Sequence, residues 1–255
     1  MDLKIFIEKI TIVEKQLNIP DLQVDGFNPW PYMRLRILNK YQKKEDRLEQ
    51  VVENITNKKK SKINKVISFV KSSSIYFSSP VKKEKIDILY FTRKSEWQDV
   101  MFDELFNRYS GSFKYFFAEK YKVKVVEVCD QEYLKSNNDN VASIDSLIKK
   151  TRIKCKFLEK MQSSKVPLFD DVNQLIEKEF GFHIDVESDL RFIHHLSKEF
   201  VKMLRLYEPK LVFLTVFYRA EAMAMSLACH KLGIRVIEYQ HGAQNDYHPM
   251  YTHWD

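Results

Sequence analysis

Glycine is scarce in this chain, with five in 255 residues. Neither GxGxxG nor GxxxxGK[ST] occurs, which excludes the two commonest backbone cradles for nucleotide phosphates. The three cysteines, Cys129, Cys155 and Cys229, are far apart and form no CxxC pair. A disulfide framework and a cysteine-built metal or redox site are thereby excluded, and a reducing compartment is the simpler reading. Long apolar runs are missing as well. Ile86 to Phe91 and Leu211 to Phe217 are each cut short by polar residues, against the roughly 20 apolar residues a bilayer-spanning helix needs. The amino-terminal segment carries Asp2, Lys4, Glu8 and Lys9 and has no continuous apolar core of the kind a secretory signal uses.

Apolar residues are plentiful in total, at 44%, enough for the core of one large domain or two modest ones. The net charge is +7 and unevenly spread. Between Lys58 and Lys85 stand Lys58, Lys59, Lys60, Lys62, Lys65, Lys71, Lys82, Lys83 and Lys85 against Glu84 alone, interleaved with residues such as Ile67, Phe69 and Tyr76. Such a tract suits an anionic membrane surface, a solvated linker or the polar side of a helix. It comes with no zinc-finger spacing, RNP-like aromatic pattern or defined recognition helix, so no nucleic-acid partner is expected.

Apolar spacing predicts an amphipathic helix from Met1 to about Leu17, ending near Asn18 and Pro20. A second helical stretch begins at Trp30-Pro31-Tyr32-Met33-Arg34 and runs toward Val52. Pro31 fits a first helical turn, where its missing N–H costs nothing. Trp30 is expected to be a buried anchor, and Arg34 to meet either an acid of the protein or an anionic substrate. Residues 1–84 therefore form a helical appendage and basic linker, and a regular domain occupies 85–255.

That domain opens with a buried strand over Ile86 to Phe91, and Thr92-Arg93-Lys94-Ser95 is expected as its exit loop. A helix is expected from Trp97 to Tyr109, and a strand from Lys122 to Val128. Val141 to Phe180 is expected to be mostly helical with a break near Pro167. Asp185 is a candidate N-cap for a helix from Val186 to Tyr207 that stops at Glu208-Pro209. His194 and His195, being adjacent, point in different directions and are ordinary histidines rather than a ligand pair.

The last unit is the clearest. Leu211 to Phe217 reads as a strand, Ala220 to Leu232 as a helix with closely packing alanines, Gly233 as its stop, and Ile234 to Gln240 as a returning strand. A β-α-β unit of this kind implies a parallel sheet, in which the exits Tyr218-Arg219 and His241-Gly242 lie on one edge. His241 titrates near neutrality and is the first choice for a catalytic base, with Gly242 letting the chain turn or approach a ligand. His248 suits a sugar hydroxyl or phosphate, or packing against Pro249. Asp246 suits orienting a histidine, accepting a substrate hydrogen bond, or simply a turn. His241, His248 and His253 do not have convincing metal-ligand spacing, so no metal is expected.

The stretch Val236-Ile237-Glu238-Tyr239-Gln240-His241-Gly242, with His248-Pro249-Met250-Tyr251 and, more loosely, Trp30 to Arg34, resembles the amino-terminal domain of GT-B glycosyltransferases from bacterial O-antigen and capsule pathways. A Trp-His-Gly arrangement is found in enzymes polymerising polyol phosphates. Gln240 stands in the tryptophan's place here, which favours sugar transfer over a polyol-phosphate transferase. The resemblance implies a Rossmann-like parallel sheet flanked by helices, one half of a GT-B fold, that transfers sugar from a nucleotide-sugar co-substrate to a glycan or lipid-linked acceptor.

In that reading His241 is the base or an acceptor-orienting group. Tyr218 and His248 hold hydroxyls, Arg219 meets a phosphate, and Gln240, Gly242, Asp246 and Tyr251 complete the substrate-binding set, with Arg34 a candidate anion contact. No bound cofactor is implied. The resemblance places the donor in a second, carboxyl-terminal domain that these 255 residues do not hold, so weak or absent catalysis by the chain alone is expected, with a separate donor-binding domain or subunit as partner. The expected location is the cytoplasm or the inner face of the cell membrane. A non-enzymatic α/β interaction module of a polysaccharide assembly complex is the competing expectation.

Overall fold

The computed structural model describes residues 3–17, 22–23, 26–50, 83–93, 97–101, 104–107, 111–128, 141–159 and 167–239. The chain divides into two compact units. The first gathers helices α1 (Leu3–Gln16), α2 (Trp30–Gln50) and α5 (Pro167–Phe180). The second holds the sheet, and the chain passes from one unit to the other within helix α6 (Val186–Tyr207). No helix of the described residues is long and apolar enough to cross a membrane.

In the first unit, Phe6, Ile7, Ile10 and Val13 form the buried stripe of α1, the i, i+3, i+4, i+7 spacing of an amphipathic helix. Phe6, Tyr41 of α2 and Phe180 of α5 form a ring trio with centroids 5.7–5.8 Å apart. Lysines close the carboxyl end of α5. Lys9 donates to the Glu179 carbonyl at 2.8 Å and Lys44 to that of Phe180 at 3.0 Å, and Lys40 donates to the His183 carbonyl beyond. Cations there satisfy carbonyls that have no partner within the helix and complement its dipole. Gly181 follows with φ +67°, the left-handed stop that glycine takes without strain.

The second unit is a Rossmann-like α/β domain. Five parallel strands, β1 (Ile88–Arg93), β4 (Val123–Val128), β5 (Val141–Ser143), β6 (Leu211–Leu214) and β7 (Arg235–Glu238), lie in the order β5-β4-β1-β6-β7. β5 is a three-residue edge strand. Ile88 is in register with both Val123 and Leu211, which centres β1 in the sheet. Helices α3 (Gly111–Ala118), α4 (Asp145–Glu159), α6 and α7 (Ala220–Leu232) flank it.

One face of the sheet packs Ile88, Tyr90 and Val125 with Phe117 of α3, and the Tyr90 ring stacks on Phe213 at 5.0 Å. On the other face Phe91 meets Phe200 of α6 edge-on at 5.7 Å. Helix α7 is buried almost all round, from Ala220 to Cys229, as its small side chains allow. Gly233 ends it with φ 67°, its N–H bonding back to the His230 carbonyl.

Three expectations are overturned. The stretch from Trp97 is not a helix: β2 (Trp97–Met101) and β3 (Glu104–Asn107) pair antiparallel, Val100 opposite Leu105 and Met101 opposite Glu104. Trp97, Val100, Met101 and Leu105 do carry the i, i+3, i+4, i+8 spacing of a helix, so the difference comes from pairing between the two segments and not from apolar spacing. Trp, Val and Phe in short runs favour strands. Thr92 and Arg93 are not a loop but the end of β1, extended by pairing with Glu127 and Val128. The strand expected over Leu211 to Phe217 stops at Leu214. The helical reading of Val141 to Phe180 holds for α4 and α5, but Val141–Ser143 forms the edge strand. Asp185 caps α6 as expected, accepting from the Ser188 N–H at 3.1 Å.

Candidate functional site

From β1 the chain moves outward through β4 to β5, then returns to the other side of β1 for β6 and β7. The order therefore reverses between β1 and β6, and open α/β sheets open a crevice beyond the carboxyl ends of the strands at such a point. Thr92, near the end of β1, is buried at 1% exposure, and Thr215, just past the end of β6, is buried too. Among the described residues the Thr92 hydroxyl has no hydrogen-bond partner. Neither threonine was singled out from sequence, since the switch point depends on strand order, which local patterning does not reveal.

The carboxyl ends of β6 and β7 are bonded together as far as Tyr239; the exit His241-Gly242 expected to follow lies outside the described residues. Tyr239 N–H donates to the Leu214 carbonyl at 2.7 Å, which carries the β6 to β7 pairing past the strand end. Phe217 N–H donates to Glu238 Oε1 at 3.2 Å, which ties the loop after β6 to the last residue of β7. Tyr218 lies in that loop, half-buried, its ring edge-on to Phe217 at 5.5 Å. Arg219 is extended (φ −94°, ψ 150°) at the N-cap of α7, and its carbonyl accepts from Met223 N–H at 2.8 Å.

No side chain caps α7, but its first turn holds Glu221. A carboxylate there is favoured by the positive end of the helix dipole. Glu221 is nearly buried and pairs with Arg152 of α4 at 3.2 Å. The Arg152 guanidinium also lies 4.8 Å from the Phe192 ring centroid of α6, a cation–π contact. One ion pair thus binds α4, α6 and α7 behind the carboxyl edge. Glu221 carries a helix-start signal in the sequence, but its partner is 69 residues away and leaves none.

Arg34 belongs to the first unit. Its side chain is fully buried and sits 3.3 Å from Glu14 Oε1, the same oxygen that accepts the Trp30 indole N–H at 2.6 Å. Of the two partners expected for Arg34, the structure supplies the protein acid. Burial draws the guanidinium pKa down and Glu14 opposes it. Trp30 is the buried anchor expected.

Gln240, His241, Gly242, Asp246, His248 and Tyr251 lie outside the described residues. His194 and His195 are partly buried, with ring centroids 6.1 Å apart. Among the described residues no three His, Cys, Asp or Glu side chains group as a metal site. Cys155 and Cys229 are buried, and burial pushes the Cys229 pKa up to about 12. No family model, curated protein or solved structure matches the chain.

Proposed function

We propose that this chain is the acceptor-side half of a GT-B-type glycosyltransferase of bacterial surface-polysaccharide assembly. It transfers a sugar from a nucleotide-sugar co-substrate, held by a second domain or subunit, to a glycan or lipid-linked acceptor. The observation that carries the reading is the joined carboxyl edge of β6 and β7. Two hydrogen bonds hold the strand exits together, Tyr218 and Arg219 stand in one exit, and Gln240-His241-Gly242 follows directly from the other. Two residues span at most about 7 Å, so His241 is tethered within that reach of Tyr239.

His241 takes the acceptor hydroxyl proton as that oxygen bonds to the anomeric carbon. The bond from that carbon to the phosphate oxygen breaks, and the nucleotide departs with its electron pair. Arg219 meets the charge gathering on the leaving phosphate. Tyr218 and His248 orient acceptor hydroxyls.

The test is transfer of labelled sugar from a panel of nucleotide sugars to lipid-linked acceptors, using the protein with its donor-binding partner. His241→Ala should lower turnover about 10²- to 10⁴-fold, the usual share of general acid–base catalysis, with acceptor affinity little changed. Tyr218→Phe should weaken acceptor binding more than it slows turnover. Full turnover by the His241→Ala protein, or no transfer from any nucleotide sugar, sinks the reading.

A further inference from the structure

We propose that the Tyr90 and Thr92 hydroxyls form a hydrogen-bonding subsite for a neutral sugar at the switch point of the sheet. The class of ligand rests on the glycosyl-transfer reading, and the place rests on the strand. Side chains two apart on a strand point to the same face, so Ile88, Tyr90 and Thr92 form one row along β1. The row is apolar where Ile88 and Tyr90 pack with Val125, Phe117 and Phe213. At Thr92, one residue from the end of β1, it turns polar. The register that sets Phe91 beside Leu214 brings Thr92 level with Thr215, across the point where the strand order reverses.

Tyr90 is 3% exposed and Thr92 1%, and among the described residues neither Tyr90 Oη nor Thr92 Oγ1 has a hydrogen-bond partner. Buried hydroxyls on the helices are satisfied locally. Thr151 Oγ1 donates to the Leu147 carbonyl and Ser197 Oγ to the His194 carbonyl, each at 2.8 Å. A strand offers no carbonyl one turn back, so a strand hydroxyl needs a partner from outside its own element. Neither strand formation nor packing asks for these two oxygens. Valine has the shape of threonine and favours strands as well, and phenylalanine would keep the ring that stacks on Phe213 at 5.0 Å. A buried hydroxyl without a partner costs stability. Two of them stand on one face of the central strand, where open α/β sheets bind ligands, and such local costs gather at functional sites. Their chemistry selects the ligand class. Each hydroxyl donates and accepts without charge, which matches a sugar hydroxyl. An anion would ask for a cation, and the row Ile88, Tyr90, Thr92 holds none.

The experiment uses the full chain, with glucose, galactose and N-acetylglucosamine as probes, and follows thermal unfolding by circular dichroism with and without each sugar. Without sugar, Thr92→Val and Tyr90→Phe should each unfold at or above the temperature of the unaltered chain, because an apolar group of the same shape replaces an orphaned hydroxyl. At least one of the sugars should raise the midpoint of the unaltered chain, and each variant should need about tenfold more of that sugar for the same rise. A lower midpoint for either variant without sugar overturns the proposal, since it assigns the hydroxyl to a partner within the folded chain or to a held water. A rise that either variant keeps in full also overturns it, being the general effect of an excluded solute. So does the absence of any rise in the unaltered chain. Sugar transfer is read separately: no transfer with the sugar-dependent rise intact sinks the catalytic reading and leaves the subsite standing.

Discussion

Replacing Glu14 by Leu removes the carboxylate that faces two buried donors, the Trp30 indole at 2.6 Å and the Arg34 guanidinium at 3.3 Å. At an effective dielectric of about 20, unit charges 3.3 Å apart attract by about 5 kcal/mol. Desolvation of Arg34, fully buried, consumes much of that in the intact pair, but the desolvation persists when the carboxylate is gone. Loss of one partner of a buried pair costs about 3–5 kcal/mol, and the abandoned indole N–H adds about 1 kcal/mol or more. Glu14→Leu should therefore cost about 4–6 kcal/mol. With a urea slope of about 2 kcal/mol per molar, the midpoint followed by circular dichroism falls by about 2–3 M.

Glu14→Gln keeps an acceptor and discards the charge, so its cost should be about half. Arg34→Met should cost less than Glu14→Leu, because Glu14 keeps the Trp30 donor and 13% of its side chain in contact with water. The double change Glu14→Leu with Arg34→Met should cost less than the two singles together. Additive costs, or a Glu14→Leu loss under about 1 kcal/mol, refute the reasoning. Acceptor affinity that survives Arg34→Met removes Arg34 from the substrate contacts; a specific loss with the fold intact restores it.

Phe200→Ala empties a fully buried position against Phe91 and should cost about 3–5 kcal/mol in urea unfolding. Gly233→Ala should cost about 1–2 kcal/mol although its Cβ meets open space, because φ 67° penalises any side chain; Gly233→Asn should cost less. Burial, then the charges of Lys198, Lys154 and His194, lower the His195 pKa below the usual histidine value, with Glu199 opposing. The unfolded chain therefore takes up this proton first, so the contribution of His195 is complete above about pH 6.5 and declines as pH falls through that value. His195→Gln should flatten the fall of Tm over that range, and an unchanged slope counts against it. Cys229, with its pKa pushed up to about 12, should resist iodoacetamide at neutral pH until denaturant opens the core, as followed by mass spectrometry.

The resolved helices were legible wherever local signals agreed. Asp185, the apolar stripe from Leu190 to Leu204 and the stop at Glu208-Pro209 mark α6, and the small residues before Gly233 mark α7. Where signals conflicted, sequence reasoning failed. Val100, Met101, Leu105 and Phe106 suggested one element, but cross-strand pairing made two. Thr92 and Arg93 look like a loop until the neighbouring strand supplies Glu127 and Val128 to pair with them. For the candidate site, the parallel neighbours β6 and β7 followed from the β-α-β pattern, and the hydrogen bonds of Phe217 and Tyr239 join their carboxyl ends as far as Tyr239.

By itself the sequence determined the β6-α7-β7 unit, the ends of α6 and α7, and the absence of the two commonest glycine-built phosphate cradles. Each depends on backbone geometry within a few residues, so neighbours suffice to specify it. Tertiary structure alone decided the order β5-β4-β1-β6-β7, with its switch point at Thr92 and Thr215, and the union of α5 with α1 and α2. It alone also decided the pairs Arg34–Glu14 and Arg152–Glu221. These are meetings between segments that are distant along the chain. Burial of the intervening apolar surface brings them together, and no local pattern records which partner each will find.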